Sequence, residues 1–360
     1  MHVCHLINTM SLGGAEARVA SALTHLRGEV RASLVCLRRE GPLLSSIPSH
    51  IRVFDLAYTV KETVAARRRL VAILEEIRPT VLHTHLVQAS LMGRAVAKEA
   101  GVPRIVSTQH NAWHPKDQSQ LYRAERASWN LSHGFVALSE SIRSYLRRGG
   151  YVGPIQVCRT GVDASEAAPA SETGTLRRPY LLSIGHLRDR HKGHDILLRA
   201  FSRVHIDYPA LHLYIIGEGA MRRELESLAQ RLGLGDSVKF LGERIDAQAV
   251  MAGAKVFVLA SRWEGFGRVI IEALNARVPV VATEVEGIPE IISDGVTGLL
   301  TPAEDHQRLA ERIVQILSDS PLADRLAAAG LNMVRRRFTV SAMLACEFSF
   351  YSRVLHQRHA

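Results

Sequence analysis

The sequence predicts an α/β protein with two doubly wound parallel-sheet domains. Its 360 residues exceed one domain of ordinary size and suit two. Strand-like apolar runs alternate with helix-like amphipathic runs in both halves, a pattern typical of parallel sheets with crossover helices. Over residues 163–179 this pattern gives way to Ala, Ser, Glu, Thr, Gly and Pro, which indicates a linker.

The first half contains the following predicted elements. Strands are expected at residues 2–8, 32–37, 52–56, 81–85, 104–108 and 134–137. Helices are expected between them at residues 15–26, 63–77, 88–100 and 140–148. Each apolar run is short enough for a strand, and each helical segment repeats its apolar residues every three to four positions.

The second half repeats the alternation. Strands are expected at residues 180–184, 211–216, 238–241 and 254–260, and helices at residues 194–205, 221–232, 268–276 and 341–356. The predicted domain bounds are 1–165, a linker at 166–178, a second domain at 179–338 and a terminal helical segment at 339–360. The sequence therefore predicts two Rossmann-like domains.

Composition and the length of the apolar runs predict a globular chain without a membrane-spanning segment. The apolar share of 47% and the charged share of 22% are those of a soluble globular protein. No apolar run approaches the roughly 20 residues that span a bilayer. The N-terminus lacks a basic segment followed by a signal core. We therefore expect a cytoplasmic protein.

The basic excess belongs to the first half. Residues 1–165 hold 21 Lys and Arg against 12 Asp and Glu (+9), and residues 166–360 hold 24 against 23 (+1), which together give the total of +10. Basic clusters occur at residues 67–69 and 143–148. They indicate either a solvated face or a surface for an anionic membrane or acceptor. The sequence has no basic patch interleaved with aromatic residues, so we do not expect nucleic acid as a partner.

The cysteines and histidines predict neither disulfides nor a metal site. Cys4, Cys36, Cys158 and Cys346 are scattered without a C-x-x-C pair, so we expect thiols. His83 and His85 share one face of a predicted strand, but we expect no third ligand beside them.

A glycine-rich turn between two glutamates is the most informative motif: Glu264, Gly265, Phe266, Gly267 and Glu272. The apolar run 254–260 precedes it and the predicted helix 268–276 follows, so the turn lies at the carboxyl end of a strand. Open α/β sheets bind ligands there. Because glycines let a ligand approach backbone amides and carboxylates accept hydrogen bonds from hydroxyls, the motif predicts a ligand with both phosphates and hydroxyls.

This motif resembles the E-x7-E signature of retaining glycosyltransferases with the GT-B fold, in particular glycosyltransferase family 4. The apolar segment 278–283 after it strengthens the resemblance, which extends over essentially the whole chain. It implies a GT-B fold, in which two Rossmann-like domains face a central cleft. The first domain would bind the acceptor, the second would bind the nucleotide sugar, and the segment 339–360 would cross back to the first domain.

The segment 185–193 resembles the family's G-R-x(n)-K-G loop, whose arginine and lysine neutralise the leaving diphosphate. Lys192 matches the lysine. His186 replaces the arginine, and a histidine near its reference pKa of about 6.5 is mostly neutral at pH 7. Arg188 or Arg190 could supply the missing charge, and the sequence does not decide between them.

Further residues receive roles from the resemblance. Gly13 and Gly14 precede the first helix and match a G-G-x-E loop near the donor phosphates or the acceptor. Gly217 and Glu218 lie in a strand-to-helix turn near the nucleotide. His110 aligns with the histidine of a T-x-H motif beside the anomeric carbon. Glu264 and the amides of residues 265–267 would hold sugar hydroxyls, and Glu272 the ribose.

The resemblance predicts a retaining glycosyltransferase that moves a sugar from a nucleoside diphosphate, expected to be UDP, to a hydroxyl acceptor. Cell-envelope polysaccharide, lipopolysaccharide or glycolipid assembly in bacteria is the expected setting, at the inner face of the cytoplasmic membrane. No D-x-D pair occurs, so we expect no metal and no other cofactor. A sugar-nucleotide epimerase of the same fold and a non-catalytic basic adaptor are the alternatives. Acceptor, sugar, base, linkage and oligomeric state stay open.

Overall fold

The structure is a computed structural model that describes residues 1–26, 28, 30–112, 119–163 and 176–357. The described residues form two compact units, of which the first lies within residues 1–161 and 340–357 and the second within residues 162–339. Most of the predicted linker, residues 166–175, lies outside the described residues.

The first unit is built on a parallel sheet of seven strands in the order β3-β2-β1-β4-β5-β6-β7. The strands are β1 His2–Ile7, β2 Arg31–Cys36, β3 Arg52–Asp55, β4 Val81–His85, β5 Arg104–Gln109, β6 Gly134–Ala137 and β7 Ile155–Val157. Strands β1 and β4 are buried along their whole length, as expected for a sheet that is covered on both faces.

Helices cover this sheet: α1 Gly14–Thr24, α2 Thr63–Ile77, α3 Val87–Val96, α4 Gln120–Ser128, α5 Glu140–Arg148 and, from the end of the chain, α12 Val340–His356. Phe350, Tyr351 and Val354 of α12 pack in one buried cluster with Val3 and Val81 of the central strands. The terminal helix is thus part of the core of the first unit.

The second unit has a six-stranded parallel sheet in the order β10-β9-β8-β11-β12-β13. Its strands are β8 Tyr180–Ile184, β9 His212–Ile216, β10 Val238–Gly242, β11 Val256–Leu259, β12 Val280–Thr283 and β13 Leu299–Thr301. Its helices are α6 His194–Asp207, α7 Arg222–Arg231, α8 Ala247–Ala252, α9 Arg268–Asn275, α10 His306–Ser318 and α11 Ser320–Arg337. Both units are doubly wound, which confirms the predicted fold class.

Two elements of the first unit were not predicted, and each has a weak pattern. Strand β7 has only three residues, all half-buried. Helix α4 buries only Glu125, so it shows no apolar stripe. Their positions follow from packing against neighbouring elements, which the local sequence does not encode.

The expectation that all four cysteines are thiols is wrong. Cys158, just after β7, forms a disulfide with Cys346 of α12. The two residues are 188 positions apart, and only the docking of α12 on the first unit brings them together. Cys4 and Cys36 are buried thiols, and burial raises the pKa of each to about 12.

Among the described residues, none of the helices combines the length and the apolar composition needed to cross a bilayer.

Candidate active site

The motifs of the second unit meet where its strand order reverses. Strands β8 and β11 are neighbours, but the chain continues from β8 toward one edge of the sheet and from β11 toward the other. Such a reversal leaves a crevice at the carboxyl ends of the two strands. The Lys192 loop follows β8 and the Glu264 turn follows β11, so both lie at this crevice.

A glycine lets the Lys192 loop lie against the end of β11. Gly193 has a φ of 62°, in the left-handed region, and begins the turn into α6. A Cβ atom there would lie 1.9 Å from the carbonyl oxygen of Ala260. Any other residue would therefore push Lys192 away from the Glu264 turn.

Lys192 and Glu264 form an ion pair. The Nζ atom of Lys192 lies 2.5 Å from Oε2 of Glu264, and both side chains are largely buried. The hydroxyl of Ser261 donates a hydrogen bond to the same carboxylate oxygen at 3.3 Å. The backbone N–H of Glu264 donates to Oε2 of Glu286 at 2.9 Å. The carboxylate and its backbone are therefore both fixed.

The pKa of Glu264 reflects this pairing. Burial by itself raises the pKa, but the charge of Lys192 and the hydrogen bonds from Lys192 and Ser261 outweigh it, so the net pKa lies below its usual value. Glu264 is consequently ionised at neutral pH and accepts hydrogen bonds only.

The second glutamate is held by a neighbour on its own helix. Gly267 has a φ of 88° and precedes the first turn of α9. One turn further along α9, Oε1 of Glu272 accepts a hydrogen bond from Nε of Arg268 at 2.6 Å. Both side chains are mostly buried, so Glu272 has a fixed direction. Phe266 between the glutamates is itself buried against Phe338.

Two further glycines bring the Gly217 turn against the loop that holds His186. A Cβ on Gly217 would lie 2.0 Å from the carbonyl oxygen of Gly185, and a Cβ on Gly219 would overlap the backbone of Leu187. The N–H of Leu187 donates to the carbonyl of Glu218 at 2.9 Å. The side chain of Glu218 pairs with Arg222. The predicted donor loops are thus in direct contact.

The departure at His186 leaves no cation at that position. Burial lowers the pKa of His186 to about 4, and the charge of Lys192 acts in the same direction. Its Nδ1 atom is buried without a hydrogen-bond partner among the described residues. Both arginines are exposed, but Arg190 pairs with Glu224 at 2.8 Å, whereas Arg188 forms no ion pair within the described part of the chain. Arg188 is therefore the better placed to contact a ligand.

The predicted residues of the first unit also lie at carboxyl ends of strands. Gly13 and Gly14 join β1 to α1, and a Cβ on Gly13 would overlap the carboxylate of Glu16. His110 directly follows β5. Burial lowers the pKa of His110 to about 3, and the charge of Arg18 adds to the effect, so the ring is neutral at pH 7.

The expectation that His83 and His85 have no third partner is wrong. His5 on β1 pairs in register with His83 on β4, and the three side chains each offer a ring nitrogen within 4.8 Å of the others. A second group of this kind is His186, Asp189 and His191. Strands β1 and β4 are neighbours at the reversal point of this sheet. The contact of His5 with His83 could therefore have been predicted from the strand order of a doubly wound sheet.

Three residues that contact the predicted glutamates were not expected from the sequence. They are Ser261, Arg268 and Glu286. Arg268 has the i, i+4 spacing to Glu272 that favours an ion pair on a helix, so this contact had a sequence signal. Ser261 and Glu286 contact Glu264 through the local fold of their loops and had no such signal.

Two adjoining family models match most of the chain. The model described as Glycosyltransferase Family 4 matches residues 12–166, and the model described as Glycosyl transferases group 1 matches residues 166–333. Their boundary coincides with the predicted linker.

Curated relatives carry related descriptions. The chain is 34% identical over 165 residues to the lipopolysaccharide core biosynthesis glycosyltransferase LpsE of Rhizobium meliloti. The aligned segment covers 46% of this chain and 47% of LpsE. It is 29% identical over 261 residues to the phosphatidyl-myo-inositol mannosyltransferase of Mycobacterium leprae, covering 71% and 69% of the two chains. The LpsE match thus spans about half of that relative.

Solved structures share the fold over nearly the full length. Anabaena Alr3699/HepE in complex with UDP-glucose superposes with a TM-score of 0.86 at 23% identity, covering 98% of this chain and 100% of that one. Sucrose-phosphate synthase from Thermosynechococcus elongatus gives a TM-score of 0.80 at 24% identity, covering 98% and 99%.

Together, the two parallel-sheet units and these matches define the class of protein: the chain is a glycosyltransferase with the GT-B fold.

Proposed function

We propose that the chain is a retaining family 4 glycosyltransferase that transfers a sugar from a UDP-sugar to a hydroxyl acceptor, without a metal ion. The observation that supports this most is the buried Lys192–Glu264 pair at the reversal point of the second sheet. It places a fixed cation and a fixed carboxylate side by side, as a diphosphate next to a sugar requires.

In the proposed mechanism, Lys192 stabilises the diphosphate as it leaves. Glu264 and the amides of Gly265, Phe266 and Gly267 hold the sugar hydroxyls, and Glu272 accepts hydrogen bonds from the ribose. His110 orients the sugar. The acceptor hydroxyl attacks the face from which the diphosphate departs and gives its proton to the departing phosphate, so no covalent nucleophile is needed.

The acceptor is proposed to be a lipid-linked glycan or glycolipid of the bacterial envelope. The relatives include lipopolysaccharide core and phosphatidyl-inositol glycosyltransferases. The first unit offers a surface for the membrane: Val60 and Val64 are 79% and 63% exposed, and Lys61, Arg67 and Arg68 are exposed beside them. Exposed apolar side chains among basic ones favour contact with an anionic bilayer.

Donor turnover tests the proposal. The wild-type protein should release UDP from UDP-glucose or a related UDP-sugar in the presence of EDTA, and proton NMR should detect the α-anomer of the sugar first. Lys192→Ala should lower kcat by at least about tenfold, equivalent to roughly 1.4 kcal/mol of transition-state stabilisation. Arg308→Ala is the matched control, because the exposed side chain of Arg308 pairs with Glu311 of the same helix, α10. First release of the β-anomer would contradict retention.

Membrane contact has its own test. In a sedimentation assay with vesicles of phosphatidylcholine and phosphatidylglycerol, the wild type should pellet with the vesicles. A Val64→Ser, Arg67→Ser, Arg68→Ser triple variant should stay in the supernatant. Equal sedimentation of both proteins would contradict the proposed surface, and it would leave the donor chemistry unaffected.

A further inference from the structure

Three imidazoles form a hydrogen-bonded chain, in which His5 and His85 are buried and the last ring, that of His110, is half-buried. The Nδ1 atom of His5 lies 3.0 Å from Nε2 of His85, and Nδ1 of His85 lies 3.4 Å from Nε2 of His110. The rings of His5 and His85 are stacked, with centroids 5.3 Å apart. His85 therefore connects His5, on the buried strand β1, to His110, which is proposed to orient the sugar.

All three rings are neutral at pH 7. Burial lowers the pKa of His5 to about 4 and that of His85 well below its usual value, and nearby positive charge adds to both effects. A neutral imidazole has one N–H donor and one acceptor nitrogen. The contacts thus permit two arrangements only: all three rings carry the proton on Nε2, or all three carry it on Nδ1.

We propose that His5 and His85 are positioning residues that hold His110 as its Nε2–H tautomer and leave its Nδ1 lone pair to accept a hydrogen bond from a substrate hydroxyl. Neutral imidazole intrinsically favours the Nε2–H tautomer, and in this arrangement all three rings adopt it. His110 then donates to His85, and His85 donates to His5. The substrate contact rests on the proposed function, whereas the tautomer does not.

A metal ion at His5, His83 and His85 is the competing explanation, since these side chains could converge on one ion. Both ring nitrogens of His83 already lie 2.6 Å from hydroxyl oxygens, those of Tyr351 and Thr108. The group includes no carboxylate, and Arg18 is close enough to lower the pKa of all three rings. Because both nitrogens of His83 are already engaged and the three histidines include no anionic ligand, these observations favour the hydrogen-bonded chain.

The tautomer can be measured without donor, acceptor or turnover. In long-range proton–nitrogen NMR spectra of the nitrogen-15-labelled protein, a protonated ring nitrogen and an unprotonated one have widely separated shifts. The His110→Gln variant assigns the signals of His110. The wild type should show an unprotonated Nδ1 and a protonated Nε2. A protonated Nδ1, or an even mixture, would overturn the proposal even if no other variant folds.

A remote substitution separates positioning from direct contact. His5→Phe removes the acceptor at the far end of the chain, so His110 should gain a second population with protonated Nδ1. His5→Asn should restore the single tautomer, because the side-chain oxygen can take the place of Nδ1. His2→Phe is the control on the same strand, since the ring of His2 contacts Ser33 and Ile77 instead. Unchanged His110 signals in His5→Phe would contradict the proposed hydrogen-bonded chain from His5 through His85 to His110.

Kinetics add a second readout. His5→Phe should lower kcat/KM about five- to tenfold, the effect of one weakened hydrogen bond, and His5→Asn should recover most of it. Equal loss in both variants would indicate a structural role and overturn the positioning role. If the purified wild type contains stoichiometric zinc and His5→Phe does not, the metal site replaces the proposed hydrogen-bonded chain of histidines. If the wild type turns over no UDP-sugar, the proposed function fails, and the NMR result still decides the tautomer.

Discussion

Lys192 neutralises Glu264 in the second unit, with 2.5 Å between Nζ and Oε2. Seventy-two positions separate the two residues, and each follows a different central strand of one sheet. Because both side chains are largely buried, each ion depends on the other for its charge.

Lys192→Met should therefore destabilise the protein most at neutral pH. In the wild type the pKa of Glu264 is depressed, so its stabilising contribution is present above the unfolded pKa of about 4.3 and is lost as pH falls through the folded pKa. In the variant, burial raises the pKa, and protonation at low pH relieves the penalty. Urea unfolding should show a loss of about 3 kcal/mol at pH 7 that shrinks toward pH 3.5.

The double variant Lys192→Met, Glu264→Gln is the control for this effect. It carries no buried charge at either position, so its stability relative to the single variant should increase at pH 7 and change little at pH 3.5. A loss in Lys192→Met that is independent of pH would contradict the ion-pair account.

Glu272→Ala should weaken UDP binding by about tenfold or more, because a hydrogen bond to a charged group contributes roughly 1.5–3 kcal/mol. Titration calorimetry with UDP measures the effect directly. Glu311→Ala on α10 is the matched control, since Glu311 forms an exposed ion pair with Arg308. Unchanged affinity in Glu272→Ala would remove the ribose role.

His186→Arg should raise the affinity for UDP several-fold and increase turnover. The native ring is neutral, because burial holds its pKa at about 4, so the substitution adds a charge next to Lys192. Calorimetry and initial rates check the prediction. If His186→Arg changes neither quantity and Arg188→Ala lowers both, exposed Arg188 already supplies the charge.

Arg18→Met should destabilise the first unit by about 3–5 kcal/mol. Arg18 of α1 pairs with Glu347 of α12 at 2.6 Å, and their side chains are only 1% and 3% exposed. The substitution leaves a buried carboxylate without its cation. A lower midpoint of urea unfolding measures the loss, and Arg18→Met with Glu347→Leu should recover much of it. An unaltered midpoint in Arg18→Met would contradict this role of the pair.

The sequence predicted those features that depend on local pattern. Short strand-like runs of five or six residues located β1, β4 and β8, and glycines after strands located the Lys192 loop and the Glu264 turn. The reversal of strand order places those two loops at one crevice. Family resemblance, rather than periodicity, supplied the roles of His110 and Glu272.

Features that depend on long-range packing were missed. The Cys158–Cys346 disulfide requires α12 to dock on the first unit, and the contact of His5 with His85 requires β1 and β4 to be neighbours. The hydrogen bond from Glu264 to Glu286 joins two loops whose sequences carry no signal for each other. Such contacts follow from three-dimensional proximity, which a local pattern does not specify.

The most direct test of the central claim is a thermal-shift measurement of the wild type with UDP-, GDP-, ADP- and dTDP-sugars, each with and without EDTA. A ligand at about 100 times its dissociation constant adds roughly 2.7 kcal/mol to the free energy of unfolding, which raises the melting temperature. The account predicts stabilisation by UDP-sugars that EDTA does not change. A melting temperature that responds to none of the four nucleotide sugars would contradict it.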